Sequence, residues 1–203
     1  MKEEMRNEEL RERFNLVENM LQEGRRSTQY WGWNFVLWGV GYMVAIAGVY
    51  VGGTIARYSW PVVMVATVLL GALIANAKKQ GHPETTRSRA LTSVWMAAGT
   101  AIFLFAFAVG FSPHNDPHVL LAGIFMLWGV AHAASSLTLK WGVQMGVALV
   151  WWVSAVACCY VAAELLMPIL IAANLIGNLA FGVYLMYAEV RDKKRAKNGL
   201  AHA

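Results

Sequence analysis

The chain has 203 residues, 58% of them hydrophobic and only 14% charged, where a soluble domain carries about 25% charged residues. Its formal net charge of +5 is confined to short segments between long apolar runs, a distribution that argues against a nucleic-acid partner and fits the flanks of membrane helices. Walker, dinucleotide-binding, zinc-protease and nucleophile-elbow signatures are all missing, as are paired carboxylates, so no enzymatic activity and no cofactor are expected.

Residues 1–29 are charged and do not read as a secretory signal, which would carry a short basic stretch, a brief apolar core and a small-residue cleavage site. Within them Leu10, Phe14, Val17 and Leu21 recur at helical spacing, flanked by Glu8, Glu9, Arg11, Glu12 and Arg13. That pattern predicts an amphipathic helix on the cytoplasmic side, with Glu9 and Arg13 as an i,i+4 pair. Acidic and basic residues are nearly balanced there, which sets it apart from a polybasic lipid binder. The stripe is expected to pack on the protein's own bundle or on a partner helix.

Six stretches follow that are long and apolar enough to cross a hydrocarbon core: residues 30–51, 60–77, 91–111, 119–139, 142–163 and 167–187. None contains Asp, Glu, Lys or Arg. Backbone groups in lipid must be paired within the segment, so these are helices; the short alternating strands of a barrel are not what the chain carries. Proline stands near the start of each returning helix, at Pro61, Pro117 and Pro168, where its missing N–H costs nothing. The fold expected is all-α: a polytopic membrane protein of six transmembrane helices in three hairpins over residues 30–187, followed by a basic cytoplasmic tail at 188–203.

Orientation follows from the Lys and Arg residues. One side of the membrane receives sixteen of the seventeen: six before the first span, then Lys78, Lys79, Arg87 and Arg89, then Lys140, and five in the tail. The other side holds only Arg57. The positive-inside rule then places both termini in the cytoplasm of a bacterial-type inner membrane. Aromatic residues such as Tyr30, Trp31, Trp141 and Tyr187 at one boundary, and Tyr58 and Trp60 at the other, match interfacial belts. Trp38, Trp128, Trp151 and Trp152 lie too deep for a belt and are expected to pack against core or lipid.

Two internal similarities compete. Phe35-Val-Leu-Trp-Gly-Val40 is echoed by Phe125-Met-Leu-Trp-Gly-Val130 in helices that run in opposite directions, as an inverted repeat of three helices would require. Trp31-Gly32 and Tyr50-Val51 also align with Trp141-Gly142 and Tyr160-Val161, which suits a parallel repeat of hairpins. Both cannot describe one duplication.

Few residues in the spans are polar. His132 lies ~12 Å from the Lys140 end, and Asn178 is at similar depth on the last helix with Asn174 one turn above it. Gln144 and Asn34 stand one turn inside the same boundary. Such groups face a bundle interior, so the candidate polar face is His132, Asn174, Asn178, Gln144 and Asn34, with a His132–Asn178 contact at its centre. It reads either as glue between helices or as a path for a polar solute. Haem would need a second buried histidine, which the chain does not have. Ser136 shares a face with His132, but serines on membrane helices normally bond back to their own backbone. Between the third and fourth spans, His114, Asp116 and His118 carry the donor types of a zinc, nickel or copper site on the periplasmic side, although Asn115-Asp116-Pro117 is also an ordinary turn sequence. Gly48 with Gly52 and Gly142 with Gly146 have GxxxG spacing, a surface on which the chain could pack within itself or with another copy. Cys158 and Cys159 are adjacent and cannot readily bond to each other.

Two functions remain open. One is a non-catalytic inner-membrane protein, a regulatory or sensory module or accessory subunit that works through helix contacts. The alternative is a small-solute channel or transporter with a polar path through six helices, built as a three-plus-three inverted repeat. The bilayer is the one partner both require.

Overall fold

The structure, a computed structural model, describes Arg11, residues 31–78 and residues 86–200. Apart from Arg11, the amphipathic helix expected within residues 1–29 lies outside the described residues, as does most of the polar stretch before the third helix. What is described is helical, with no strand among the described residues: α1 Gly32–Val51, α2 Gly53–Lys78, α3 Thr86–Gly110, α4 Pro117–Leu139, α5 Gly142–Cys158, α6 Leu166–Asn174 and α7 Phe181–Leu200. A six-residue π-helical segment, Leu175–Ala180, joins α6 to α7, so the two form one continuous rod. Five of these helical rods are long and apolar enough to cross a membrane, consistent with a helical membrane protein. At 17 residues α5 is shorter, spanning ~26 Å against a hydrocarbon core of about 30 Å.

Several boundaries differ from the sequence expectation. The second helix begins at Gly53, eight residues before Pro61, which lies inside it. The break falls instead at Gly52 and Gly53, whose φ values of 81° and 59° are left-handed and suit residues without a Cβ. Pro117 does occupy the first turn of its helix, where Asp116 caps by accepting from the His118 N–H at 2.8 Å. The fifth helix stops at Cys158, short of residue 163. The last helix runs on to Leu200 through the basic tail, because Lys, Arg and Ala are good helix formers.

The helices divide into a core and two satellites. α1, α4, α5 and the α6–α7 rod enclose the buried cluster of Phe35, Tyr42, Phe125, Trp128, Trp151, Leu170, Phe181 and Leu185. α2 packs on α1, and α3 packs on α4. The α2 stripe against α1 is narrow and hydroxyl-bearing: Ser59 donates to Ala45 O and lies against Gly48, while Thr67 lies over Gly41 and bonds back to Val63 O at 2.8 Å. α3 turns Leu91, Trp95 and Phe105 toward the core, with the Phe105 ring seated over Gly123. Trp60, Met64 and Ile102 are partly buried against the core, while the outward faces of both satellites, including Leu69, Leu73, Met96, Phe103 and Phe107, are exposed.

Of the three hairpins expected, the pairs α1–α2 and α3–α4 pack along their length, but α5 packs far more extensively on α4, across the Lys140–Trp141 turn, than on α6. Lys140 makes that turn in the left-handed conformation, φ 51°. The two echoed hexapeptides occupy matching surroundings. Phe35 and Phe125 are both buried, Gly39 and Gly129 each receive a side chain from a neighbouring helix, and Trp38 and Trp128 touch with ring centroids 6.4 Å apart. α2 lies on α1 as α5 lies on α4, and the α6–α7 rod lies on α1 as α3 lies on α4.

Glycine sets how closely α1 and α7 approach. A Cβ on Gly32 would stand 2.8 Å from Gly182 O, and one on Gly182 would stand 2.8 Å from Gly32 O. Backbone meets backbone there, so neither side has a flexible group that could yield. Gly32→Ala and Gly182→Ala should each destabilise the fold by about 1–3 kcal/mol. Gly99→Ala, on the exposed face of α3 with nothing within 4 Å of the new methyl, should not destabilise it. Unfolding titrations of the purified variants in mixed micelles would check the contrast.

Candidate functional site

His132 lies in the middle of α4 with a relative exposure of 0%. Rings from four helices surround it. Phe35 of α1 stacks on it with centroids 5.4 Å apart, Trp95 of α3 meets it edge-on at 5.0 Å, Phe181 of α7 does so at 5.5 Å, and Trp128 lies one turn away at 6.1 Å. Further out, Trp128 stacks on Trp151 of α5 at 5.6 Å and its indole N–H donates to the Tyr42 hydroxyl at 3.3 Å. Trp60 reaches Tyr42 from α2. The expectation that the deep tryptophans pack in the interior is met by Trp128 and Trp151, while Trp152 covers Gly129 and donates to Met126 O. Quadrupolar rings prefer such edge-to-face and offset contacts, and imidazole joins the set as one more ring.

The expected His132–Asn178 hydrogen bond is not made. Both imidazole nitrogens are without a hydrogen-bond partner, and so is Asn178 Oδ1, while the amide N–H groups of both asparagines are engaged elsewhere. Asn174 donates to Gly39 O of α1 at 3.0 Å, and Asn178 donates to Asn174 Oδ1 at 2.9 Å. The pair is one face of one helix, as i,i+4 spacing demands, but that face is turned to α1 and not to His132. It lies at the start of the π-helical segment, where Gly177 lets the Trp151 indole lie against the backbone. π-segments of this kind occur often at functional sites.

The other members of the expected polar face separate. Gln144 is fully buried on α5 with both amide atoms unpartnered. Asn34 is only half-buried, and its Oδ1 points toward Gly71 of α2, away from the histidine. Ser135 is buried with its hydroxyl unpartnered. Ser136 donates at 2.8 Å to Trp141 O across the α4–α5 turn, so it neither bonds back along its own helix nor serves His132.

The periplasmic metal site expected at His114, Asp116 and His118 does not assemble. Among the described residues no three His, Cys, Asp or Glu side chains come together as a metal requires. Asp116 is exposed and engaged as the α4 cap, and the His118 ring lies 2.8 Å from Cys158 O, the end of α5. The motif is a clasp between helix ends. Of the GxxxG pairs, Gly48 is occupied within the chain by Ser59 and Gly52 belongs to the turn, so that pair is no free surface; Gly142 and Gly146 are exposed with nothing near them. Cys158 is buried and Cys159 exposed, both as free thiols.

Compared with known proteins, the chain matches no family model, no curated protein and no solved structure.

Asn174 joins distant parts of the chain through one side chain, and its loss also removes the acceptor of Asn178. Asn174→Ala should cost about 1–2 kcal/mol, whereas Asn34→Ala should stay within about 0.5 kcal/mol, as substitutions away from such networks do. Equilibrium unfolding of the two variants side by side checks the difference.

Proposed function

We propose that this chain is a six-span, non-catalytic protein of a bacterial-type inner membrane, with both termini cytoplasmic, acting as a regulatory or sensory module or accessory subunit through helix contacts. The observation that carries this reading is the division of labour among its helices. α1, α4, α5 and the α6–α7 rod make a filled core with His132 sealed among rings. α2 packs chiefly on α1 and α3 chiefly on α4, with Trp95 of α3 also meeting Phe35 of α1, and both present apolar side chains along much of their length. A helix held by one flank and free on the others is a surface for lipid and for other helices, whose association in membranes is driven by packing rather than by the hydrophobic effect. Orientation and span number rest on the sixteen-to-one distribution of Lys and Arg and on the placement of α5 between two spanning neighbours. Among the described residues nothing activates a nucleophile beside His132: Ser136 is bonded away, the Ser135 hydroxyl has no base bonded to it, and no carboxylate lies within α1, α4, α5 or the α6–α7 rod as far as Tyr187.

The second reading, a channel or transporter built as an inverted three-plus-three repeat, has two observations in its favour. Several buried polar atoms of α4, α5 and the π-helical segment are unpartnered. The echoed hexapeptides also sit in equivalent packing, with Trp38 against Trp128.

Two experiments test these statements. Reporter fusions after residues 82, 140 and 203 should all report a cytoplasmic location, and one at residue 114 a periplasmic location; any reversal removes the six-span topology. A photo-crosslinking residue in place of Phe103 on α3 or Leu69 on α2 should give a protein adduct of one discrete mass in native membranes. Adducts with lipid alone at both positions, together with solute flux through vesicles holding only this chain, would replace the contact reading with the transport reading.

A further inference from the structure

α4 and α5 run antiparallel from the Lys140–Trp141 turn, and their side-chain contacts fix which residues share a level. Trp128 stacks on Trp151, and Trp152 covers Gly129. Carrying that register toward the turn at equal rise per residue brings Ser135 level with Gln144. His132, three residues before Ser135, lies on the same side of α4 one turn further in. All three side chains have a relative exposure of 0%. His132 Nδ1 and Nε2, Ser135 Oγ, and Gln144 Nε2 and Oε1 are all without a hydrogen-bond partner. A buried polar atom left unpaired carries its full desolvation cost, so a cluster of them on two facing helices points to something that bonds them.

The chemistry of the cluster narrows the occupant. Neutral imidazole has one donor and one acceptor, the serine hydroxyl and the glutamine amide each have both, and none of the three has a formal charge. α4 and α5, which supply the polar groups, contain no Asp, Glu, Lys or Arg, and neither do α1, residues 90–110 of α3 or residues 181–188 of α7, the stretches whose rings wall His132. An ion would arrive without a counter-charge. We propose that His132, Ser135 and Gln144 form a buried site for a small uncharged molecule that both donates and accepts hydrogen bonds, of the size of water or a simple amide. Phe35, Trp95 and Phe181 close the site beside His132. Gln144, one turn from the start of α5, is its member nearest the Lys140 end. The site stands independently of whether the chain works through contacts, and it supplies the interior of a sensory module with something to sense.

The test uses the full chain in lipid vesicles with 15N-labelled histidine, the His132 signals being assigned by their loss in His132→Phe. Magnetisation should transfer from water to the His132 ring, and the transfer should be lost in Gln144→Leu and in Ser135→Ala. Adding acetamide distinguishes the sources. A saturable shift of the His132 signals identifies an amide-type ligand, and water transfer that acetamide leaves untouched identifies water as the occupant. Melting temperature gives the second readout: Gln144→Leu and Ser135→Ala should lower it by removing an occupied site. Absence of both water transfer and acetamide response, with a melting temperature raised by either substitution, would overturn the proposal in favour of a dry core that tolerates unpaired groups.

Discussion

The close approach of α1 and α7 at Gly32 and Gly182 governs the rest of the architecture. Helices in an apolar medium gain little from hiding apolar surface, so their association depends on how near the backbones come. Two glycines facing each other, each carbonyl in contact with the other's Cα region, bring the first and last rods together. The same face of α1 continues to Gly39, where Leu179 and Asn178 fill the space a side chain would take and Asn174 donates to the Gly39 carbonyl. With α1 and the α6–α7 rod joined along that seam, α4 and α5 close the interior from the other side.

The large side chains at the centre of that interior are rings. Phe35, Tyr42, Trp128, Trp151 and Phe181 touch in edge-to-face and stacked pairs, and His132 is packed among them as if it were another aromatic. Large rings bridge helices whose backbones stay apart, so α1 and α3 meet through Phe35 and Trp95 without close backbone contact. Polar groups are then sorted by what they can reach. The amide N–H groups of Asn174 and Asn178 find a backbone carbonyl and each other, whereas His132, Ser135 and Gln144 have no hydrogen-bond partner among the described residues.

The functional reading follows from this contrast between a filled centre and open flanks. α2 and α3 contribute little to the core, yet they are among the longest helices, and their outward faces carry Val, Leu, Met and Phe in long runs. A structure that uses four rods to make itself and leaves two leaning outward is suited to meeting other membrane components. The hydrogen-bonding cluster at the α4–α5 interface gives the centre a chemistry of its own.

Helicity and the approximate positions of the apolar segments were legible in the sequence, because lipid admits few backbone conformations and an uninterrupted apolar run of sufficient length admits one. The burial of His132, Asn174, Asn178 and Gln144 was legible for the same reason: a polar side chain deep in a span turns inward. Pro117 marked its helix start correctly, whereas Pro61 misled, since the left-handed backbone at Gly52 and Gly53 set the break and Pro61 lies more than two turns inside the helix. Partnership was not legible. Depth along each helix follows from counting, but rotation about the helix axis and the choice of neighbour depend on interhelical packing, so His132 and Asn178 share a depth and still do not bond. Asp116 as a helix cap was legible in the turn sequence Asn115-Asp116-Pro117, whereas the strong pairing of α4 with α5, the contact of His118 with the end of α5, and the alignment of Ser135 with Gln144 were decided by tertiary structure alone, because each depends on which face one helix offers another.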